Sequence, residues 1–593
     1  MAGKVIVPTP DLDQAYARVV ADLMRARTEG GYWEGELSSS ALSTAVACSA
    51  LTLCGRVNRV EAGLAWLVSH QNSDGGWGDT TASKSNLSTT LLVVAAFHLT
   101  ERASFYSAAL RMANDWIVAR AGSTPAEWAE AVRASYGKDR TFSVPILTNC
   151  ALAKLVPWSE VPSLPFELAC LPQSWYRLAS LPVVSYALPA LIAIGQCIHA
   201  HRPTRVFPLR WLRSLCKAPS LRVLTRLQPT NGGFLEATPL TAFVAMALAS
   251  SGNSQHPVAV KGCAFLEASV RPDGSWPIDT NLSTWVTTLA VNALAAGNAV
   301  DSLGSQEPLR QWLIAQQYRE RHPFTGAAPG GWAWTPLPGG VPDADDTPGA
   351  LIAMRNLGAP PGDWLRLGFG WLAGLQNRDG GMPTFCRGWG TLPFDRSGTD
   401  LTAHVLRALA PWRDHAESDP RLYPVATDIR LLFEGGLDYL TRNQRPDGSW
   451  LPLWFGHEDV HEMANPVFGT ARVLMAYRDL GLHDVNEARR GVSFLLSTQN
   501  TDGSWSGDAG ISGQVEETAL VLDALIGLKV NQQAIDRGLA WLVRAIIDGV
   551  HLVPSPIGFY FARLWYSERL YPIIFSVAAL GRARTVRQGP VLA

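Results

Sequence analysis

The sequence predicts an all-α protein with two large helical domains, and three observations support this prediction. The chain has 593 residues, of which 47% are hydrophobic and 17% charged, and this length is too great for a single hydrophobic core. Segments rich in alanine and leucine, such as "STTLLVVAAFHL" and "ETALVLDALIGL", begin with residues favoured at helix starts. No stretch alternates apolar and polar residues as a half-buried strand would.

A repeated segment organises these helices. Each copy has apolar residues at helical spacing, then Gln or a substitute, then an Asp-Gly turn and an aromatic residue. "GLDYLTRNQRPDGSW" ends at Trp450 and "GVSFLLSTQNTDGSW" at Trp505, while other copies reach Trp77, Trp276 and, as a variant, Met382. Such helices can close into a double-layered ring around an apolar cavity, or form an open solenoid that binds a partner. The repeats alone favour neither function.

Composition excludes several functional classes. With 50 basic and 51 acidic residues, the chain has no basic excess to neutralise phosphates, and we expect no nucleic-acid partner. Eight cysteines without a CxxC pair indicate a reducing compartment rather than a disulfide framework. The sequence has no signal-length apolar segment at its start and no long apolar run free of proline, so we expect a chain that does not span a membrane.

The turn "VPDADDTPG" places Asp343, Asp345 and Asp346 within four positions. A solvated surface loop and an incomplete metal site are the simpler interpretations. However, indoles precede the turn at Trp332 and Trp334, and "DLTAHVLRAL" follows it with Asp400 and His404 one helical turn apart. Crowded carboxyl groups cannot all ionise, and an imidazolium beside them would stabilise the conjugate base after proton loss. Indole rings stabilise a carbocation through cation-π attraction. The pattern therefore favours acid-initiated chemistry on an apolar substrate.

These motifs together resemble the class II terpene cyclases of the squalene-hopene cyclase family over almost the whole chain. The repeats resemble that family's QW repeats, "DADDT" its DxDDT acid motif, and "DLTAH" the segment downstream. The resemblance implies two α-α barrel domains, which we place at residues 1–280 and 281–593, with an N-terminal strip that returns to the second barrel. It also implies that Asp345 donates the proton, that Asp343 and Asp346 support it, that His404 tunes its acidity and that Asp400 lies alongside. No metal or cofactor is implied.

Further positions are assigned by the same resemblance. Thr238 stands where these cyclases carry a glutamine that orders water, which weakens the case for a hopene product. The residues expected to face the substrate or its cations are Trp285, Trp334, Trp332, Trp454, Phe385, Cys386, Trp389, Thr238, Phe559, Trp565 and Tyr566. For each aromatic residue, a place in the hydrophobic core is the alternative.

The expected reaction protonates a terminal alkene of a neutral linear polyprenoid, with squalene first, and directs cation cyclisation to a fused-ring triterpene. A prenylated aromatic acid or another prenyl chain is the alternative substrate, and a non-catalytic helical repeat protein is the alternative class. A protein prenyltransferase would need a zinc site, and no Cys/His cluster of that kind is present. A class I terpene synthase would need an aspartate-rich magnesium motif apart from "DADDT". A cyclase that retains a diphosphate would need a basic pocket that the sequence does not show clearly.

The segment from Trp175 to Leu215 is first apolar and then basic. Pro182 and Pro189 interrupt its apolar part, so we expect an interfacial patch rather than a spanning helix, with a buried core helix as the alternative. The flanking basic residues are Arg202, Arg205, Arg210 and Arg213. Together with the resemblance, this segment predicts a monotopic protein in one leaflet at the cytoplasmic side of the membrane. The remaining partner prediction is a homodimer.

Overall fold

The computed structural model describes residues 8–559 and 563–588. The helices before the midpoint of the chain are α1 (Thr9–Arg25), α2 (Ala41–Leu53), α3 (Val60–Ser69), α4 (Leu87–Leu99), α5 (Ser107–Ala121), α6 (Pro125–Tyr136), α7 (Arg140–Leu152), α8 (Gln173–Leu178), α9 (Val183–His201), α10 (Phe207–Leu227), α11 (Thr238–Leu248) and α12 (Pro257–Ala268). Those that follow are α13 (Ser283–Ala296), α14 (Glu307–Ala315), α15 (Asp346–Asn356), α16 (Asp363–Leu375), α17 (Thr399–Leu409), α18 (Ala426–Arg442), α19 (Pro466–Asp479), α20 (Asn486–Ser497), α21 (Val515–Leu528), α22 (Gln532–Ile547) and α23 (Tyr571–Gln588). The all-α prediction is confirmed.

The helices form two closed inner rings. In the first barrel, α2 packs on α4, α4 on α7, α7 on α9, α9 on α11, and α11 returns to α2. In the second barrel, α13, α15, α17, α19, α21 and α23 pack in that order, and α23 returns to α13. Outer helices cover both rings, and α1 covers α23 although it precedes the first barrel in the sequence. The chain therefore forms two double-layered helical rings, one in each barrel.

Short antiparallel strand pairs join the turns of this helical framework. They are β1 (Ser39–Ser40) with β2 (Trp276–Pro277), β3 (Met382–Pro383) with β4 (Ser397–Gly398), and β5 (Ile557–Phe559) with β6 (Leu564–Tyr566). Each strand has only two or three residues, which is too short for an alternating pattern to be visible in the sequence.

The repeat tryptophans fasten the outer helices to the inner ring. The indole N–H of Trp505 donates to the carbonyl of Leu495, in the last turn of α20, at 2.6 Å. The backbone N–H of Trp505 donates to the hydroxyl of Thr518 on α21 at 2.9 Å. The same two contacts are made by Trp33, Trp77, Trp276, Trp332 and Trp450. Because the last carbonyls of a helix lack intrahelical partners, each indole satisfies one of them.

The glutamine of the repeat connects one outer helix to the next. Gln499 donates its amide hydrogens to the carbonyl of Gly503 in its own turn and to that of Ala534 in α22, both at 2.9 Å. Equivalent pairs of bonds are made by Gln71, Gln228, Gln317, Gln376 and Gln444. The glutamine of the repeat therefore links neighbouring outer helices around each ring.

Candidate active site

The acidic turn leads into α15 on the inner ring of the second barrel. The Oδ1 atom of Asp343 accepts hydrogen bonds from the backbone N–H groups of Asp345 and Asp346, at 2.8 and 2.7 Å. The N–H of Asp343 in turn donates to the carbonyl of Trp332 at 3.0 Å. Asp343 and Asp346 are buried, whereas 19% of the Asp345 side chain is accessible. The carboxylate of Asp343 thus shapes the turn, and that of Asp345 stays accessible.

His404 faces this carboxyl group from α17. Its Nδ1 lies 2.9 Å from Oδ1 of Asp345, and its ring meets Trp285 edge-on with centroids 6.0 Å apart. Burial lowers the pKa of His404 to about 4, so the imidazole is neutral near pH 7. The expectation of an imidazolium beside the acid needs this correction, because desolvation of the ring outweighs the attraction of Asp345.

Burial disfavours ionisation of the carboxyl groups around Asp345. Burial raises the pKa of Asp343 to about 7, raises that of Asp346 well above its usual range, and raises that of Asp400 to about 6. Asp400 accepts a hydrogen bond from the N–H of Leu453 at 3.0 Å through Oδ1. Asp400 therefore supports the segment before Trp454, while His404, one turn further along α17, contacts Asp345.

The sequence analysis missed a buried cation at this site. Arg472 lies on α19, is only 7% exposed, and places Nη2 3.8 Å from Oδ1 of Asp345. The visible signal was a charged residue within the apolar run "TARVLMAY". Its partner could not be identified from the sequence, since Arg472 and Asp345 are far apart along the chain.

A line of aromatic groups runs from His404 to the neighbouring helices α13 and α23 of the ring. The indole N–H of Trp285 donates to the hydroxyl oxygen of Tyr571 at 3.0 Å, and this hydroxyl lies 3.1 Å from that of Tyr566. Burial raises the pKa of both tyrosines, so both are neutral phenols. Trp285 and Tyr566 were predicted from the sequence, whereas Tyr571 was missed because it lies within the apolar start of α23.

A second aromatic group lies near the acidic turn. Phe385 meets Trp334 and Trp454 edge-on, with centroids 6.0 and 6.5 Å apart. The indole N–H of Trp454 donates to the hydroxyl of Thr384 at 2.6 Å, and the carbonyl of Thr384 accepts from the N–H of Ala344 within the turn. The structure thus brings these three predicted aromatic residues together beside the acid.

The remaining predicted residues lie elsewhere in the fold. Trp332 is fully buried and makes the repeat contact with Leu313. Thr238 begins α11, where its N–H donates to the carbonyl of Ile278. The backbone N–H of Trp565 donates to the carboxylate of Asp79 at 2.8 Å, which ties β6 to the first barrel. The backbone of Phe559 lies in β5, and its side chain is outside the described part of the chain.

A surface cavity of about 1000 Å³ reaches the second aromatic group. Its wall includes Tyr186, Phe385 and Cys386, and Trp389 lies at its edge with 56% of its surface exposed. Tyr186 donates its hydroxyl hydrogen to the carbonyl of Phe385 at 3.0 Å. Within the described residues, no group of three or more His, Cys, Asp or Glu side chains is arranged to hold a metal ion.

Comparison with known proteins gives a consistent result. The model of the squalene-hopene cyclase N-terminal domain matches residues 16–232, and that of the C-terminal domain matches residues 281–585. The squalene-hopene cyclase of Alicyclobacillus acidocaldarius subsp. acidocaldarius is 25% identical over 84% of this chain and 93% of its own length. The enfumafungin synthase of Hormonema carpetanum is 26% identical over 84% of this chain and 42% of its own.

A solved structure shares the fold over the whole chain. It is the ent-copalyl diphosphate synthase from Streptomyces platensis, which has a TM-score of 0.54 and 20% identity, with 97% of this chain and 99% of that one covered. The two matching domain models together cover most of both barrels, and the C-terminal model includes the acidic turn, His404 and Trp285. The chain therefore belongs to the squalene-hopene cyclase family of class II terpene cyclases.

Proposed function

We propose that this class II cyclase protonates the terminal alkene of a neutral linear polyprenoid, with squalene as the first candidate, at Asp345. The observation that carries the proposal is the position of Asp345, which is the accessible carboxyl group of the turn. Its backbone N–H donates to Asp343, and its carboxyl oxygen lies within hydrogen-bond distance of His404. A general acid must reach the atom that it protonates, and the carboxyl groups on either side of it are buried.

The proton transfer follows from this geometry. With hydrogen on Nδ1, neutral His404 donates to Oδ1 of Asp345, and the acidic proton of Asp345 then resides on Oδ2. The alkene π electrons take this proton, an O–H bond breaks, a C–H bond forms, and a carbocation remains in the substrate. The faces of Trp285 and Trp334 stabilise such a cation without trapping it. Successive alkenes then close rings until a proton is lost or water adds.

A prenylated aromatic acid or another prenyl chain is the alternative substrate class. Arginine side chains at Arg177, Arg378 and Arg387 line the surface cavity that reaches Phe385, and guanidinium groups bind carboxylates. This observation favours an amphiphilic substrate with an acidic group over other non-squalene substrates. The acid at Asp345 would serve either substrate.

We also propose that the first barrel binds one leaflet of a membrane beside this cavity. Exposed apolar side chains crowd the segments around α8 and α10; they are Leu168, Leu171, Trp175, Leu178, Phe207, Trp211, Leu212 and Leu215. An exposed apolar patch of this kind suits an interfacial environment. Arg205 and Arg210 are exposed nearby and suit anionic head groups.

The sequence-based description of this region needs two corrections. The apolar helix α9 is long and apolar enough to cross a bilayer, but two thirds of it is buried, and it belongs to the inner ring. Arg213 is buried against Glu167 at 3.0 Å, so it is not available to lipid head groups. The patch is therefore formed by α8 and α10 on either side of α9.

The cytoplasmic side of the membrane stays our prediction for the location of the chain. It is supported by the eight cysteines, all among the described residues and all free thiols, since disulfides are rare in reducing compartments. A homodimer likewise stays a prediction.

The experiment that tests the function is product analysis. Purified protein in detergent is incubated with squalene and, separately, with a prenylated aromatic acid, and products are identified by mass spectrometry. A fused-ring triterpene from squalene supports the first proposal, and a cyclised product from the aromatic acid alone supports the alternative. Absence of any cyclised product, or an equal yield from Asp345→Asn protein, would overturn both.

A further inference from the structure

Arg472 occupies an unusual position on the inner ring. Its sequence neighbours Ala471 and Val473 are fully buried, and the helix α19 that carries all three packs against α17 and α21. Burying a guanidinium costs free energy unless the group is paired with an anion. The position of Arg472 therefore calls for an explanation.

The contacts of Arg472 differ from those of two partly buried arginines of this barrel. Arg478 and Arg582 each form a hydrogen bond with Asp523, and Arg478 also binds Asp479. Arg472 makes no hydrogen bond to any of the described residues, and the carboxylate within 4 Å of its guanidinium is that of Asp345. The positive charge of Arg472 lies beside the proposed acid, and its N–H groups can donate to the carboxylate of Asp345.

We propose that Arg472 is a positioning residue that stabilises the carboxylate left on Asp345 when the proton passes to the substrate. The inference rests on the proposed role of Asp345 as proton donor. In that step Asp345 loses its proton, the substrate gains it together with a positive charge, and Arg472 keeps all its protons. A permanent cation 3.8 Å away then lies beside the new anion.

His404 cannot perform this task as a cation. Burial lowers the pKa of His404 to about 4, and Arg472 itself contributes to that lowering. Arg472 supplies the positive charge, and His404 supplies a neutral hydrogen bond to the same oxygen. The two side chains thus divide between them the roles that the sequence analysis assigned to the histidine alone.

Other titratable groups surround Asp345 and Arg472. The electrostatic neighbours of Asp345 are Asp343, Asp346, Asp400, His404, Arg472 and Tyr566. Arg407 of α17 and Asp523 of α21 act on Arg472 instead. Arg407 is paired with Asp479, at 2.7 Å, and Asp523 with Arg478 and Arg582. Among these described groups, Arg472 is the cation that lies within ion-pair distance of Asp345.

The test compares Arg472→Met and Arg472→Gln with Arg472→Lys, using kcat and KM measured on squalene and on the prenylated aromatic acid. An opposite charge this close typically changes the acidity of a carboxyl group about tenfold to a thousandfold. We expect both neutral variants to lose about that factor in kcat with KM little changed, because the carboxylate formed on Asp345 by proton transfer then lacks its cation. Arg472→Lys should recover most of the activity.

A purely structural role would give a different pattern. It would lower the melting temperature or raise KM together with the loss of kcat, and Arg472→Lys would not restore kcat; this result, or full activity in both neutral variants, overturns the inference. Arg582→Met is the matched control, since it removes a partly buried arginine of the same barrel that is paired with Asp523, and it should keep kcat within a fewfold of wild type. Two neutral variants guard against a folding defect in one of them. If Asp345→Asn kept full activity, the proposed function would fail instead.

Discussion

The two inner rings share one construction and differ in what they bury. The five inner helices of the first barrel contain no Asp or Glu in the described structure, and apart from the imidazole of His199 their buried polar groups are hydroxyls and amides such as Thr89, Thr148 and Asn149. The six of the second barrel bury Asp346, Asp400, His404, Arg472, Glu516, Glu517 and Asp523. The comparison shows that the helical repeat forms both rings, and that the acidic and basic side chains suited to acid chemistry are buried in the second ring.

The largest expected effect separates the rings by chemistry. Asp345→Asn should lower turnover at least about a thousandfold with an unchanged melting temperature, because an amide cannot donate the initiating proton. Thr148→Val, which removes a buried hydroxyl from the first ring, should leave the initiation rate within a fewfold of wild type. Comparable losses in the two variants would remove the chemical distinction between the rings.

A change of product is the next effect. Trp285→Ala removes an aromatic face next to His404 and the hydrogen bond to Tyr571. We expect partly cyclised products, since a less stabilised cation loses a proton earlier. Trp285→Phe keeps a ring without the hydrogen bond and should give a smaller fraction of such products by mass spectrometry. An unchanged product profile in both variants would assign Trp285 to the core.

The buried charge of the second ring should also show in stability. The pKa of Asp400 is raised to about 6 from its usual range near 3.8, so the folded state resists ionisation of this group. Its contribution to the free energy of unfolding is therefore neutral below about pH 4, becomes unfavourable as the pH rises towards 6, and stays unfavourable above. Asp400→Asn keeps the acceptor for Leu453 and should gain stability over wild type across this window, by at most about 3 kcal/mol.

Denaturant unfolding at pH 4, 5, 6 and 7 measures this difference. Asp363→Asn is the control, because it makes the same carboxyl-to-amide change at a side chain that is 76% exposed, where an exposed ion pair contributes less than about 1 kcal/mol. A pH-independent difference for Asp400→Asn would show that its ionisation does not limit stability.

Because both barrels share the repeat contacts, equivalent substitutions should lower the stability of both barrels equally. Trp77→Phe and Trp505→Phe each remove the indole hydrogen bond to a buried carbonyl, of Leu67 or Leu495, which keeps a second donor in His70 or Thr498. Each should cost about 0.5 to 1.5 kcal/mol of the free energy of unfolding, with the product profile unchanged. A changed product profile in either variant would mean that a repeat tryptophan also shapes the cavity.

The smallest expected effect concerns the membrane face of the first barrel. Trp211 is 61% exposed within the apolar patch, and Trp211→Glu should weaken binding to vesicles containing anionic lipid about tenfold, because apolar contact is lost and a negative charge is added. Turnover in detergent should persist. Phe105→Glu, an exposed position outside the patch, should bind vesicles like wild type. Equal binding by all three proteins would argue against the patch as the membrane contact.

Local patterns in the sequence predicted the helical class, the repeats and the acidic turn. Asp343, Asp345 and Asp346 are adjacent in the chain, and Asp400 and His404 share one helix face, so their grouping could be recognised directly. The roles of Arg472 and Tyr571 were not predicted, because only the folded ring brings them to Asp345 and Trp285 from helices distant in the sequence. The neutral state of His404 depends on its burial, which the sequence does not show. Trp332 was grouped with Trp334, yet neighbouring indoles of one turn point to different partners.

The return of α1 to the second barrel has a consequence for folding. Asp22 lies 2.9 Å from His551, and Asp13 binds Arg584, so a helix that precedes the first barrel in the sequence finds its partners in the last helices of the second. The inner ring of the first barrel closes without α1, whereas the outer layer of the second barrel is complete only when α1 has packed on α22 and α23. Contacts of such large sequence separation are costly in loop-closure entropy, so we expect this part of the second barrel to form late in folding.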